Sequence, residues 1–411
     1  MRILIAFVFS SSLMASPISF DQALEEIIKR DTTVPQEQAL LNASKSNARS
    51  KVLSFLPDLT AGYSKQKTYE VQSETERLNL TASVNLFRFG ADYAAYDAAN
   101  KQLDAQRSRL NEAKLEAELV GVKVLVDNIL RVKQVEILEK IVKAKNSSLR
   151  TAKARFRRGL TPSAEVDKAK VELNNAKARL NNSLLQLDTA KGNLIALLGH
   201  DNVELKWPWL KLLKSKKHDH LKGSFNIEER PDFQKANFEL AFREANAKSA
   251  VRSFFPTVDF SYTWSETDLE STVHLNERTS LLSITIPIFE GWKDVSNYET
   301  QKALSEQARY RLVRIKRDAK SEWKTKEINF DISVQTAKDR DINLGLSRRV
   351  YRSTEKRFNK GRVTVNELTQ DQNRLLESEN LAAQGWGQAH LSLVELCHAR
   401  GKDVLRCLKT Q

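Results

Sequence analysis

The sequence predicts a mainly α-helical protein with a small β part, built from tandem repeats that each contain a long coiled-coil helical hairpin and two β-strands. Three observations predict this fold class: an internal repeat at an interval of about 200 residues, two long segments almost free of Gly and Pro, and short segments of alternating apolar and polar residues. The chain has 411 residues, 13 Gly and 2 Cys. So few cysteines exclude a disulfide scaffold and a multi-cysteine metal site.

The internal repeat keeps its order along the whole chain. Residues 155–159 (RFRRG) recur as 357–361 (RFNKG), and the block at 86–90 recurs at 286–291. Chance similarity does not preserve order across separated blocks, so we interpret the pattern as a tandem duplication. We expect a first repeat over 16–199, a connector over 200–224 and a second repeat over 225–411.

Each repeat is expected to contain one very long helix and a shorter return helix. Segments 91–158 and 292–360 each contain one Gly and no Pro, and at 1.5 Å per residue each would be about 100 Å long. We expect return helices over 163–198 and 362–400. Apolar and small residues follow steps of three and four along the first return helix, which is typical of a coiled-coil seam; they are Val166, Ala169, Leu173, Ala176, Leu180, Ser183, Leu187, Ala190, Leu194 and Leu197.

The start of the first return helix has its own signals. Thr161 is a residue type that caps helices, and Pro162 is tolerated at the first helical position. We therefore expect Thr161 to cap this helix.

Strand pairs are expected within 55–89 and 255–290. Leu78, Leu80 and Ala82 alternate with polar residues, so each strand would have one apolar and one polar face. A half-buried strand of a soluble sheet is the alternative for any single strand, but no other sheet or helix is left to cover these. Strands of about nine to eleven residues cross a bilayer when tilted. Four strands cannot close a barrel, so the chain must associate; three copies would supply twelve strands, and two would supply eight.

The first residues indicate export. Residues 1–15 contain one Arg, an apolar run and a small residue at the end, which is the layout of a signal peptide. An exported protein does not meet chromosomal DNA, so we expect no nucleic-acid partner. In an oxidising compartment Cys397 and Cys407 could close a small loop, and two free thiols are equally compatible with their spacing.

These features together resemble the TolC-like outer membrane efflux proteins, which are the outer membrane channels of tripartite efflux or type I secretion systems. The exported start, the tandem halves, the strand pair before a very long helix and the Gly-centred turns carry the resemblance, which spans almost the whole mature chain. It implies a homotrimer in outer membrane lipid with one twelve-stranded barrel and an α-helical tunnel through the periplasm. It also implies a periplasmic adaptor (membrane fusion) protein and an inner-membrane pump or ABC transporter as partners.

The resemblance places the periplasmic tips at the two Gly-centred turns, where the adaptor docks and the tunnel constricts. At the constriction it implies Glu165, Glu367 and Gln370, where Gln370 replaces the second acid of the family's pair. The family's tip lock is mostly missing, so we expect Glu165 or Glu367 to bond Arg362 instead. The docking tips would comprise Arg155, Arg157, Arg158, Gly159, Leu160, Thr161, Arg357, Lys360, Gly361, Arg362, Val363 and Thr364.

The positive charge of the chain maps to the same turns. The chain carries a formal net charge of +14. Residues 140–164 hold eight Lys or Arg and no acid, whereas 342–366 hold seven and one acid, Glu355. Such runs are either solvated helix faces or, at a tunnel entrance, a surface that docks an acidic adaptor tip or draws anionic cargo.

No motif indicates catalysis or a cofactor, so we expect a passive conduit and not an enzyme. His218 and His220 lack further ligands and are expected to lie in a solvated loop. The alternative functions are a soluble periplasmic coiled-coil adaptor and a structural protein that binds polyanions.

Overall fold

A computed structural model describes residues 18–68, 73–199, 205–206, 225–269, 273–289, 291–360 and 362–403. The expected signal peptide and the two connector histidines lie outside these residues. The described elements are, in chain order, β1 (Ile18–Ser19), α1 (Phe20–Arg30), α2 (Thr33–Leu53), β2 (Asp58–Thr68), β3 (Ser73–Phe87), α3 (Ala91–Arg157), α4 (Ser163–Leu198), β4 (Leu205–Lys206), a 3₁₀ turn (Ile227–Glu229), α5 (Pro231–Val251), a second 3₁₀ turn (Arg252–Phe254), β5 (Thr257–Leu269), β6 (Val273–Thr285), α6 (Lys293–Asn359) and α7 (Val365–Ala399).

The two long helices begin in the same way. Two consecutive residues with positive φ precede each of them, Phe89 and Gly90 before α3, and Gly291 and Trp292 before α6. The long helices have 67 residues each. Equal lengths and matching entry turns are what a duplicated hairpin would produce.

Four strands form one antiparallel sheet in the order β2-β3-β5-β6, so each hairpin lies beside the other. The register places Leu80 opposite both Ala61 and Trp264, which puts these side chains on one face. The last strand ends at Thr285, earlier than the expected end of the pair at 290. Pro287 explains the difference, because proline has no backbone N–H to donate to the sheet.

The two faces of this sheet differ in chemistry. Three cross-strand pairs link polar residues on one face: Arg77 with Thr267, Thr81 with Thr263, and Asn85 with Asp259. The opposite face is apolar and largely uncovered, with Leu59 81% exposed and Ile284 64% exposed. The residues of this apolar face are Leu59, Ala61, Tyr63, Leu78, Leu80, Ala82, Val84, Val258, Phe260, Tyr262, Trp264, Leu282 and Ile284. The predominance of helix and the single four-stranded sheet confirm the expected fold class.

The chain forms two compact units, and each unit draws on both halves of the sequence. The expected division of the sequence into two repeats is a different division and stays a prediction. Of the described residues, those within 18–34, 114–226 and 320–403 belong to the first unit, and those within 35–113 and 227–319 belong to the second. None of the described helices is both long and apolar enough to cross a membrane.

The first unit has a hydrophobic core made by α1, α3, α4, α6 and α7. Leu24, Leu125, Leu198 and Leu393 are completely buried in it. The Ser19 side chain caps α1 with a full capping box, which fixes where this short helix begins. The buried side of α1, made by Phe20, Ala23, Leu24 and Ile27, belongs to this core.

An ion-pair cluster lies beside this core. The carboxylate of Glu395 in α7 accepts from Lys326 of α6 at 2.8 Å and lies 3.3 Å from Lys123 of α3. Burial by itself would raise the pKa of Glu395, but the two ammonium groups outweigh it and lower the pKa below its usual value. Cys397, two residues further along α7, is buried and disulfide-bonded; Cys407 lies outside the described residues.

In the second unit, helices α2, α3 and α5 are joined by a chain of charged groups. Arg109 binds Glu37 at 3.1 Å and Glu112 at 3.1 Å, and Lys235 binds Glu112 at 2.7 Å. Glu37 and Lys235 are buried, so each charge has a partner where water is excluded. The other buried residues of α2, α3 and α5 near these ion pairs are mostly alanines, which let the helix backbones approach closely.

Candidate functional site

Both hairpin turns are closed by the same backbone motif. After α3, the N–H of Gly159 bonds the carbonyl of Phe156 and the N–H of Leu160 bonds the carbonyl of Arg155. After α6, the N–H of Arg362 bonds the carbonyl of Arg357 in the equivalent way. This is a Schellman motif, and it needs a left-handed residue, which Gly159 supplies with φ of 72°. Gly361 lies outside the described residues.

The two return helices begin differently. Thr364 is the N-cap of α7, where its hydroxyl accepts from the N–H of Glu367 at 3.2 Å and the Glu367 carboxylate accepts from the N–H of Thr364 at 3.3 Å. At the first tip Pro162 is the N-cap of α4 and makes no side-chain bond. The expectation that Thr161 caps α4 was therefore wrong. Its hydroxyl is buried and has no hydrogen-bond partner among the described residues.

The capping bond also changes the bounds of the second return helix. This helix was expected to start at 362, but α7 starts at Val365. Residues 362–364 follow the Schellman turn in non-helical conformation, because an N-cap residue has extended dihedrals, and Thr364 has φ of −78° and ψ of 157°.

The three constriction residues implied by the resemblance lie on the surface. Glu165, Glu367 and Gln370 are all exposed, and they sit in the first two turns of α4 and α7. The expected bond from Glu165 or Glu367 to Arg362 does not form in the described chain. Glu367 is instead turned back to its own helix by the capping box, whereas the carboxylate of Glu165 has no hydrogen bond or ion pair with any described residue.

The basic residues of both tips are mostly unpaired. Of the fifteen Lys and Arg within 140–164 and 342–366, two have an acidic partner in the described part of the chain: Lys145 binds Glu172 at 2.5 Å and Arg348 lies 3.4 Å from Glu379. The other thirteen have no acidic partner among the described residues, and most are exposed. The residues of the predicted docking tips, Arg155, Arg157, Arg158, Arg357, Lys360 and Arg362, all belong to this unpaired group.

The single acid in these two runs is also engaged locally. Tyr351 donates its hydroxyl proton to Glu355 at 3.0 Å, one turn along α6. Burial and this carboxylate raise the pKa of Tyr351 above its usual value. Among the described residues, Glu355 makes this hydrogen bond and forms no ion pair with an arginine of either run.

Several hydroxyl and carboxyl groups that the sequence did not single out hold the tips together. Thr354 of α6 is buried and donates to Asp371 of α7 at 2.6 Å. Ser148 of α3 lies 3.1 Å from the hydroxyl of Thr369 in α7, so it links the two hairpins. Asp371 lies about 100° around α7 from Gln370 but only about 40° from Glu367, so the helix period alone did not indicate that Asp371 contacts α6.

A groove of about 130 Å³ lies between the two hairpins near their tips. Thr161, Glu165 and Lys168 line it from the first hairpin, and Thr364 and Asn366 line it from the second. Within the residues that the structure describes, no group of three or more His, Cys, Asp or Glu could hold a metal ion. The tips thus offer cationic surface and a small polar groove.

Comparison with known proteins relates this chain to one family. The sequence profile described as "Outer membrane efflux protein" matches residues 23–200 and 226–402, once in each half of the chain. No curated protein matches the sequence. The profile match gives no support to the soluble adaptor or to the polyanion-binding structural protein considered above.

Solved structures show the same fold. The CmeC outer membrane channel of Campylobacter jejuni superimposes with a TM-score of 0.81 at 14% identity, covering 95% of this chain and 88% of that one. The outer membrane protein VceC of Vibrio cholerae gives 0.76 at 17% identity, with 94% and 96% covered. The open state of the Neisseria gonorrhoeae MtrE outer membrane channel gives 0.78 at 16% identity, with 93% and 89% covered. The family's sequence profile matches well over half of the chain, so this protein belongs to the outer membrane efflux protein family.

Proposed function

We propose that this protein is the passive exit duct of an efflux or secretion complex, and that it works as a homotrimer with its strands in the outer membrane and its long helices in the periplasm. An inner-membrane pump or ABC transporter supplies the energy, and a periplasmic adaptor joins that pump to the tips. Family membership supports the general activity, an efflux channel of the outer membrane.

The four-stranded sheet is the observation that carries the membrane part of this proposal. Its apolar face is exposed along every strand, from Leu59 in β2 to Ile284 in β6. A soluble protein rarely leaves a contiguous apolar surface of this kind uncovered. Strands of 11 to 15 residues are also long enough to span a bilayer when tilted.

The edges of the same sheet support the trimer. β2 and β6 each pair on one side only, so each presents a row of free N–H and C=O groups. Such edges are not tolerated in lipid and must pair with another copy of the chain. Three copies would close a barrel of twelve strands. Two would give eight, a number that leaves little room for a conduit.

Cell fractionation and particle mass test these statements separately. We expect the protein in the outer membrane fraction and, after extraction in detergent, a protein mass of three chains. Recovery in the soluble periplasm would contradict the membrane assignment. A mass of two chains would contradict the trimer without touching the membrane assignment.

The unpaired charge at the tips supports an acidic partner. Like charges at a ring of tips repel one another, and a partner with carboxylates at its own tip would offset that repulsion. We therefore propose that Arg157, Arg158 and Lys360 dock the acidic tip of the adaptor. Tunnel-lining roles of Glu165, Glu367 and Gln370 remain part of this proposal.

Charge reversal at these three residues tests the docking. We expect the triple variant Arg157→Glu, Arg158→Glu and Lys360→Glu to weaken adaptor binding, and we expect wild-type binding to fall as salt rises. The matched control reverses Lys302, Arg314 and Lys316, which are exposed on α6 outside the tip runs. Adaptor binding that is unchanged in the tip variant, or weakened equally in the control, would reject the acidic-partner proposal.

A further inference from the structure

A polar cleft of about 610 Å³ lies in the second unit where the strands give way to helices. Thr257 at the start of β5 lines it, as do Ala91 at the start of α3 and Asn297 in the second turn of α6. If the strands span the outer membrane, this junction lies at the level of the periplasmic headgroups.

Three arginines line this cleft, and no carboxylate lines it. Arg88 lies 3.5 Å from Asp92, and Arg252 donates to the carbonyl of Gly90. Arg243 is half-buried over the ring of Phe242, with 5.2 Å from its guanidinium carbon to the ring centre, and it has no acidic partner in the described part of the chain. Three guanidinium groups therefore face one cleft beside a single carboxylate.

The rest of the lining is suited to an anion with hydroxyl groups. Asn246, Ser249, Ser253 and Gln301 contribute amides and hydroxyls. Guanidinium groups bind phosphate oxygens in a bidentate manner, and amide and hydroxyl groups can bond further oxygens.

An aromatic cluster joins the cleft to the apolar face of the sheet. Phe255 lines the cleft and stacks on Phe89 with 5.5 Å between ring centres, and Phe89 lies 4.7 Å from Phe87. Phe87 is paired with Val258, which belongs to the apolar face. A ligand with a charged head in the cleft would thus have an apolar path beginning at Phe255.

We propose that this cleft binds the phosphate headgroup of an anionic phospholipid of the periplasmic leaflet, with the acyl chains running along Phe255, Phe89 and Phe87. The inference rests on the proposed function, because it requires the strands to lie in the outer membrane. Arg243 is the principal contact, because Arg88 lies beside Asp92 and Arg252 donates to the carbonyl of Gly90, whereas the guanidinium of Arg243 has no such polar partner among the described residues. Basic pockets beside membrane-spanning segments are suited to such headgroups for the same electrostatic reason.

Native mass spectrometry of the full-length protein tests the site, with phosphatidylglycerol and phosphatidylcholine as the two probes. We expect wild-type protein to retain phosphatidylglycerol more tightly. Arg243→Gln should weaken this retention roughly tenfold, as expected for losing a charge-assisted contact, and leave phosphatidylcholine retention unchanged. Asn297→Asp is a second variant, which adds a carboxylate to the cleft at an exposed position. It should also weaken the retention of phosphatidylglycerol.

Arg314→Gln is the matched control, since Arg314 is exposed on α6 and does not line the cleft. Equal retention of the two lipids by wild-type protein, or equal losses in Arg243→Gln and Arg314→Gln, would overturn the proposal. Displacement of phosphatidylglycerol by an equal concentration of inorganic phosphate would assign the cleft to free phosphate and would also overturn it. Outer membrane fractionation of the same variants keeps a failure of this site distinct from a failure of the proposed function.

Discussion

The hydroxyl of Thr364 should stabilise the first turn of α7, and Thr364→Ala removes it. The hydroxyl accepts the N–H of Glu367 at 3.2 Å, in an N-cap position. Loss of a Ser or Thr N-cap costs about 1 kcal/mol. Because 1.4 kcal/mol corresponds to a factor of ten, local opening of this turn should become about fivefold more frequent.

Hydrogen exchange of the full-length protein measures this opening directly. We expect the amides of residues 365–369 to exchange about fivefold faster in Thr364→Ala than in the wild type. Thr161→Ala is the matched control at the other tip, because the Thr161 hydroxyl has no hydrogen-bond partner in the part of the chain that the structure describes and does not cap α4. The reasoning is refuted if Thr364→Ala leaves exchange unchanged, or if Thr161→Ala accelerates exchange at the start of α4 equally.

The same assay separates two roles of Glu367. A glutamine at this position can still accept the N–H of Thr364, since capping boxes use either Glu or Gln. Glu367→Gln should therefore preserve slow exchange, whereas Glu367→Ala should accelerate it. The ion selectivity of the channel can then be measured in planar bilayers. Because Glu367→Gln keeps the capping bond, a change of selectivity in this variant would be due to the lost charge, as the proposed constriction requires. Accelerated exchange in Glu367→Gln would contradict the capping role assigned here.

Two further predictions concern stability, measured as the rate of thermal unfolding. Glu395 has a lowered pKa in the folded protein, so its contribution is present above the unfolded pKa and is lost as the pH falls through the folded pKa. Glu395→Gln should therefore unfold faster than the wild type at neutral pH, and this difference should shrink as the pH falls from about 4.3, the ordinary pKa of a Glu side chain, through the lower folded-state pKa; a difference that does not shrink with falling pH would contradict the linkage. Gly159→Ala should destabilise by about 1 kcal/mol, because its φ of 72° disfavours a side chain although open space surrounds it. Gly192→Ala, inside α4 and also in open space, should stabilise the fold by about 1 kcal/mol. A change of stability in the same direction in both variants would refute the argument.

The regular elements could be predicted because their signals are local. In the first return helix Leu173, Ala176, Leu187 and Leu194 are buried as the seam predicts. At its end the buried residue is Leu198, one position after the predicted Leu197. A straight helix of 3.6 residues per turn drifts relative to a repeat of 3.5, so a strict seam loses its register over a helix of this length.

The packing between elements could not be predicted in the same way. The arginine cleft brings together Arg88 and Arg243, which are more than 150 positions apart in the sequence, and no local pattern connects them. The tip charges show the same limit. Their positions are evident from composition, but whether Arg348 meets Glu379 depends on how α6 and α7 are aligned.

One difference between the tips was accessible from the sequence by a physical argument. Glu165 and Glu367 occupy equivalent positions of the repeat, each at the third residue of its return helix. A capping box needs both a side-chain acceptor and an N–H at the N-cap, and Thr364 has both, whereas Pro162 has neither. The carboxylate of Glu367 is therefore engaged by its own helix, and that of Glu165 has no such partner. Of these two acids, Glu165 is consequently the one whose carboxylate is not held by a capping bond and can turn toward an arginine of another chain.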